Sequence, residues 1–293
     1  MTDFENTITC LYGDEGRLWL ENLPNIVNNL AHRWQLSELH PIDNLSYNYV
    51  MSGWQKEKPI ILKLGCDPKS FKNEIQALKA FKTFGAMTVL DQMEDVLLLE
   101  RAQPGLSLKC YFPDHDLKAV SIACEVMKKL HTAPYPEYEF PTIKDWLTVL
   151  DKDHELFMPQ LAKARVLKNE LLNTMEHSIL LHGDFHHENI LEHEGEWKVI
   201  DPQGVIGERA YEVGCFMRNP KELIKHPDCL YFLKDRIHAF AKHLDLDPVR
   251  IAKWCYIQAM LSAVWSYEDN LSYESALKFV SLFEQLLDAS WGF

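Results

Sequence analysis

The spacing of apolar side chains changes several times along the chain, and each change predicts an element. From Leu18 to Leu36, Leu23, Ile26, Val27 and Leu30 recur at helical spacing between Trp19 and Trp34, which predicts helices packed beneath the strands after them. Near Leu45 the pattern turns strand-like. Tyr47, Tyr49 and Val50 fall within a first strand from Asn44 to Ser52, a polar turn passes Gln55 and Lys58, and Ile60-Ile61-Leu62-Lys63-Leu64 completes a hairpin. Ser70 to Phe84 returns to the helical period, with Phe71, Ile75 and Leu78 on one face and Glu74 sharing it. Gly85 ends that helix, and Thr88 to Leu90 and Val96 to Leu99 read as two further strands about the turn at Glu94-Asp95.

Gln103-Pro104-Gly105 breaks the pattern and divides the chain. Residues 1–102 form an N-terminal lobe, helical at its start and otherwise β-rich with one helix. Residues 103–293 form a helix-rich C-terminal lobe, with helices expected near Asp116 to His131, Ile143 to Leu150, Pro159 to His177, Leu223 to His243, Pro248 to Tyr267 and Tyr273 to Ala289. No repeat, low-complexity tract or long Gly/Ser linker interrupts either part.

With 47% hydrophobic and 25% charged residues, the composition is that of a globular protein and argues against disorder. Acidic residues outnumber basic ones 43 to 30, a formal charge of -13. Such a surface repels nucleic-acid phosphates and anionic lipid and suits a cationic or neutral small molecule. Seven cysteines without a CxxC pair read as reduced core thiols. The first residues lack a basic and apolar leader pattern, and no apolar run approaches the roughly 20 residues of a membrane span. A cytoplasmic monomer is the expectation.

His182-Gly183-Asp184-Phe185-His186-His187-Glu188-Asn189, then Ile200-Asp201-Pro202 after a short strand, carries the reading from fold to chemistry. Phosphoryl transfer needs a carboxylate beside the attacking hydroxyl and oxygen ligands for magnesium on the nucleotide phosphates. Asp184, Asn189 and Asp201 have that spacing, although a capping Asp184 and a turn-forming Asp201 are the bland alternatives. Lys63 inside an apolar strand needs a partner, and Glu74 on the next helix is the natural one; a lysine snorkelling to water is the alternative. His182 supports the loop carrying Asp184. A zinc site at His182 and His186 is rejected, because Gly183 intervenes and no HExxH glutamate is present. The loop Asp43 to Tyr49 contains no glycine, so Ser46 and Asn48 are left to donate hydrogen bonds to phosphate, or the loop is an ordinary hairpin turn.

On these residues the chain resembles the aminoglycoside phosphotransferases, small-molecule kinases of the protein-kinase-like fold. Trp19 to Pro24, Asp201 to Pro220 and Ser262 to Asp269 resemble the streptomycin and hydroxyurea kinase branch in particular. The resemblance implies a two-lobed α+β fold that uses ATP or GTP with Mg2+. It implies Asp184 as catalytic base, Asn189 and Asp201 as metal ligands, Lys63 and Glu74 as the phosphate-anchoring pair, and Glu100 to Ala102 as the hinge for the base. Gly183 replaces the arginine of protein kinases and Pro202 the phenylalanine of Asp-Phe-Gly, which implies a site assembled without a phosphorylation switch. Glu212, Glu268 and Asp269 are candidates for receiving ammonium or guanidinium groups, or are solvated and capping acids. Trp254, Leu261 and Trp265 share a helical face and read as core. The expected function is O-phosphorylation of a small cationic, streptomycin-like molecule. A kinase of a choline-, thiosugar- or homoserine-like metabolite, or a nucleotide-binding module without transfer, are the competing readings.

Overall fold

Alternation along the strands decides which side chains meet the cleft. The computed structural model describes residues 3–43, 45, 47–153 and 158–289. β1 (Leu36–Pro41), β2 (Asn48–Gln55), β3 (Lys58–Gly65), β4 (Val89–Gln92) and β5 (Val96–Glu100) form an antiparallel sheet in the order β1-β2-β3-β5-β4. Period two sorts β3 into two faces. Ile60, Leu62 and Leu64 bury against Phe4, Ile8, Leu23, Leu30 and Trp34 of α1 (Asp3–Trp34). Ile61 and Lys63 face the other way and line a cavity.

α1 is two helical segments joined at Gly13, whose φ of 57° and ψ of -129° lie outside the helical region. The helix ends before Leu36, the expected limit. Gln35 takes a φ of 54° and turns the chain into β1, an edge strand with a register shift between Ser37 and His40. Leu36-Ser-Glu-Leu-His-Pro carries little β-forming signal, so pairing with β2 sets its structure. α2 (Pro68–Ala80) buries Phe71, Ile75 and Leu78, as its period predicts.

The helical part is built on α8 (Pro248–Glu268), in which Trp254 to Leu261 are all buried. A helix apolar all round belongs at the centre, and α5 (Met158–Asn173), α6 (Arg209–Met217), α7 (Cys229–Leu244) and α9 (Glu274–Asp288) pack on it. Its start is fixed by Pro248 and by Asp247, whose carboxylate accepts the Val249 and Arg250 N–H groups. α3 (Asp116–Leu130) packs on α7, and α4 (Ile143–Trp146) passes into a 3-10 turn at Leu147–Asp151. The helix expected from Leu223 to His243 is broken. A 3-10 turn at Leu223–Lys225 precedes Pro227, which cannot continue a helix, and α7 starts at Cys229.

Five short strands carry the loops of the site. β6 (Pro104–Ser107), β8 (Ile190–His193) and β9 (Glu196–Val199) form one sheet, and β7 (Ile179–Leu181) pairs with β10 (Val205–Gly207). The segment after α2 is tied to β9: Val199 N–H donates to Gly85 O at 2.8 Å and Met87 N–H to Val199 O at 3.0 Å. The apolar face of α2 is continuous with the core of the helical part. No described helix is long and apolar enough to cross a membrane.

Candidate active site

β7 delivers His182, Gly183 and Asp184 to the cleft. Gly183 has a φ of 84°, and a Cβ there would stand 2.9 Å from the Trp146 ring and 3.2 Å from Gln203 and Val205, so a side chain is excluded. Glu212, in the first turn of α6 and only 2% exposed, accepts the N–H groups of His182 at 2.7 Å and Gly183 at 3.0 Å. The buried His182 ring joins two loops. Its Nδ1 accepts the Asp184 N–H at 3.2 Å, which leaves the proton on Nε2 to be donated to Ile200 O at 2.8 Å. Burial lowers the His182 pKa against the pull of Glu212 and Asp184, so the ring is neutral.

Donors surround the Asp184 carboxylate. Oδ1 accepts from the Cys215 thiol at 3.0 Å, Oδ2 accepts from Asn189 Nδ2 at 3.1 Å, and His186 Nε2 lies 3.5 Å from Oδ2. Burial works to raise its pKa, but His186 and Cys215 hold it well below the usual carboxylate range. Asp184 is therefore an ionised acceptor, and its side chain, 39% exposed, opens onto a cavity. Burial pushes the Cys215 thiol well up, so the sulfur keeps its proton and its role as donor. Asn189 spends Nδ2 on Asp184, and its Oδ1 has no hydrogen bond among the described residues.

Asp201 follows β9 with a φ of 56°, a left-handed conformation unusual outside glycine. Its Oδ1 accepts from Lys63 Nζ at 2.9 Å, and the same ammonium donates to both oxygens of Glu74, at 2.7 and 2.9 Å. Burial disfavours the Lys63 charge, yet Asp201 and Glu74 together raise its pKa above the ordinary lysine value. Burial, reinforced by Asp201, pushes the Glu74 carboxyl up while Lys63 pulls it down. The cation is fixed in place by the two acids.

Two cavities flank this chain of residues. One, of about 530 Å3, is lined by Ile61, Lys63, Glu100, Ala102, Ile200 and Asp201. The other, of about 500 Å3, opens beside Asp184 and is lined by Trp146, Arg218, Gln258, Trp265 and Asp269 among others. One cavity reaches Lys63, the other the Asp184 carboxylate. The sequence model of aminoglycoside/hydroxyurea antibiotic resistance kinases matches residues 33–270. The chain belongs to this kinase family. The kinase is 27% identical over 249 residues to streptomycin 3''-kinase of Klebsiella pneumoniae, a match covering 81% of this chain and 91% of the relative. It is 25% identical over 278 residues to streptomycin 6-kinase of Streptomyces griseus, covering 89% and 88%. Its fold superposes on a mutant of aminoglycoside phosphotransferase APH(4)-Ia in complex with ADP and hygromycin B, with a TM-score of 0.68 at 17% identity and coverage of 91% and 99%. Choline kinase LicA from Streptococcus pneumoniae gives 0.65 at 14% identity, covering 90% and 99%. This chain is thus a nucleotide-binding small-molecule kinase with the two-lobed kinase fold.

Within the kinase, Lys63, Glu74, Asp184, Asn189, Asp201 and His182 come together as their spacing implies. Glu100 and Ala102 line the first cavity. Asn48 stands at the start of β2, opposite Gly65 in register, and Ser46 lies outside the described residues. Three acceptor-side expectations need correction. Glu212 does not face a substrate, because both oxygens are committed to backbone N–H groups. Glu268 pairs with Lys152 at 2.9 Å and does not line the second cavity, whereas Asp269 does. Trp265, expected in the core with Trp254, is 39% exposed and meets Trp146 edge-to-face at 6.0 Å in the cavity wall. Sequence reasoning missed Cys215 and Arg218, which reach the cleft from α6 and the residue after it.

Proposed function

We propose that the chain transfers the γ-phosphate of ATP or GTP to a hydroxyl of a small, streptomycin-like molecule. The observation that carries this reading is two sets of contacts between two cavities, Glu74 through Lys63 to Asp201 and Asn189 to Asp184, joined through the backbone where Ile200 N–H donates to Asn189 O at 3.0 Å. Asp184 accepts the hydrogen bond of the acceptor hydroxyl, aims its oxygen and takes its proton late in transfer. Lys63, held by Glu74, binds the α- and β-phosphates, and Glu100 to Ala102 hold the base. Asn189 Oδ1 and the Asp201 carboxylate would hold Mg2+, since two hard oxygens suit an ion that takes few protein ligands. When bound there, the ion would supply positive charge against that of the nucleotide phosphates. We assign residues 1–102 to a nucleotide lobe and 103–293 to a catalytic lobe. The nucleotide requirement and the free cysteines support a cytoplasmic enzyme, and we take it to act as a monomer.

A coupled assay for nucleoside diphosphate release tests the reading. With Mg2+ and ATP or GTP, the panel holds streptomycin, other aminoglycosides, hydroxyurea and hydroxylated metabolites. Acceleration by one acceptor, reduced on the order of 10²-fold or more in Asp184→Ala, is the expected result. Undiminished transfer in that variant refutes the mechanism. A second reading, a kinase of a quaternary-ammonium alcohol such as choline, is favoured by the Trp146 and Trp265 rings beside Asp269, since aromatic faces attract such cations. Choline is included in the panel for that reason.

A further inference from the structure

The acceptor cavity holds charge of both signs. Arg218 is partly buried in its wall and has no carboxylate partner among the described residues. Its Nη1 donates to Gly214 O at 2.9 Å and reaches Gln258 Oε1 at 3.4 Å, both neutral acceptors. Nε and Nη2 remain as a donor fork of the geometry that a carboxylate fills with two hydrogen bonds. A guanidinium kept half out of water without an anion is unfavourable unless a ligand supplies one.

Asp269 marks the other end. It caps the C-terminus of α8, lines the same cavity, and forms no ion pair among the described residues. Gln258, the Arg218 neighbour, lies eleven residues earlier on α8, a rise of roughly 16 Å. The negative end of the helix dipole adds to the carboxylate there and favours a cation. Trp146 and Trp265 form apolar wall, and Asp184 presents its carboxylate to the same space.

We propose that this cavity selects a bipolar acceptor, with a carboxylate or similar oxygen-rich group on Arg218, one ammonium or guanidinium at Asp269, and its apolar face on the two tryptophans. The proposal rests on the phosphotransferase reading and narrows its substrate class. An acceptor with no oxygen-rich group to set against Arg218 leaves its donor fork unfilled.

Two probes differing at one carbon test it: streptomycin, and its derivative with the formyl group oxidised to a carboxylate. With wild-type protein the carboxylate derivative is expected to show a KM lower by on the order of tenfold, the worth of one charge-assisted contact. Arg218→Gln abolishes that preference, and Arg218→Lys, which keeps the charge, retains part of it; thermal melting of each variant verifies folding. Titration calorimetry of both probes into protein with a non-hydrolysable ATP analogue reads the preference without transfer. Absent turnover with an intact preference refutes the transferase reading alone. Equal affinities, binding of neither probe, or a preference that survives Arg218→Gln overturns the bipolar assignment.

Discussion

His186 and Cys215 stabilise the charged form of Asp184, so their removal has a defined sign. Losing a donor to the carboxylate raises its pKa, and Asp184 then becomes protonated at higher pH. In His186→Asn the acid limb of the kcat/KM profile is expected to move to higher pH than in wild type, and a pH series on one accepted substrate checks it. Lys63→Met behaves differently. The Glu74 carboxyl, already pushed up by burial, neutralises once its cation is gone, so the melting temperature changes little while nucleotide KM rises and kcat falls. Paired measurements of melting and kinetics separate the two effects. Among single residues the placement at the cleft was most legible where spacing groups them, as at Asp184, Asn189 and Asp201, or where a charge interrupts an apolar strand, as at Lys63. Arg218 and Cys215 had no such signal, because α6 meets the loop only in three dimensions. Glu212 was misjudged because an acid in a first helical turn looks the same whether it faces solvent or collects backbone N–H groups.

Between elements, α6 and β7 meet through Glu212, and that junction holds the loop carrying Asp184. Glu212→Ala leaves a buried donor, His182 N–H, and a part-buried one, Gly183 N–H, without an acceptor, at about 1–3 kcal/mol for the buried group and less for the other. Both the melting temperature and kcat are expected to fall, with Glu212→Gln, which keeps one acceptor oxygen, intermediate; equal stability of wild type and Glu212→Ala would show that another group satisfies these donors. α6 escaped sequence detection because Ala210 to Met217 are buried on every side, so no polar face gives a helical period. The short strands β6, β8 and β10 were also hidden, since pairing rather than residue type fixes them. α2, α3 and α9 were legible because each keeps one wet face.

Across the molecule, buried neutral histidines couple folding to pH. Burial lowers the pKa of His182, and burial with Arg236 lowers that of His187, which stacks on Phe216 at 3.9 Å. Unfolded histidine titrates near pH 6.5, so between that value and the lower folded pKa the unfolded chain binds more protons. Stability is then fully present above about pH 6.5 and is lost as pH falls, by up to about 1.4 kcal/mol per pH unit for each ring. Melting at pH 7.5 and 5.5 should show the loss, and His187→Leu should reduce its slope. The helical part depends also on Arg236, fully buried and paired with Asp116 at 2.6 and 2.8 Å while donating to Phe216 O and Asn219 O. Asp116→Ala strands that guanidinium, and chemical denaturation is expected to register a loss of about 3–5 kcal/mol.

The tie between the segment after α2 and β9 has a consequence for how the chain can be divided. A fragment ending at residue 102 would carry Phe71, Ile75, Leu78 and Phe81 without the surface that covers them, and its partner would lack the backbone groups that pair with Val199. Neither half is expected to fold alone. Expressed apart they should be aggregation-prone, and expressed together they should reassemble around α2, which makes the break at Gln103 a natural cut for a fragment-complementation reporter whose signal reports on assembly of the cleft.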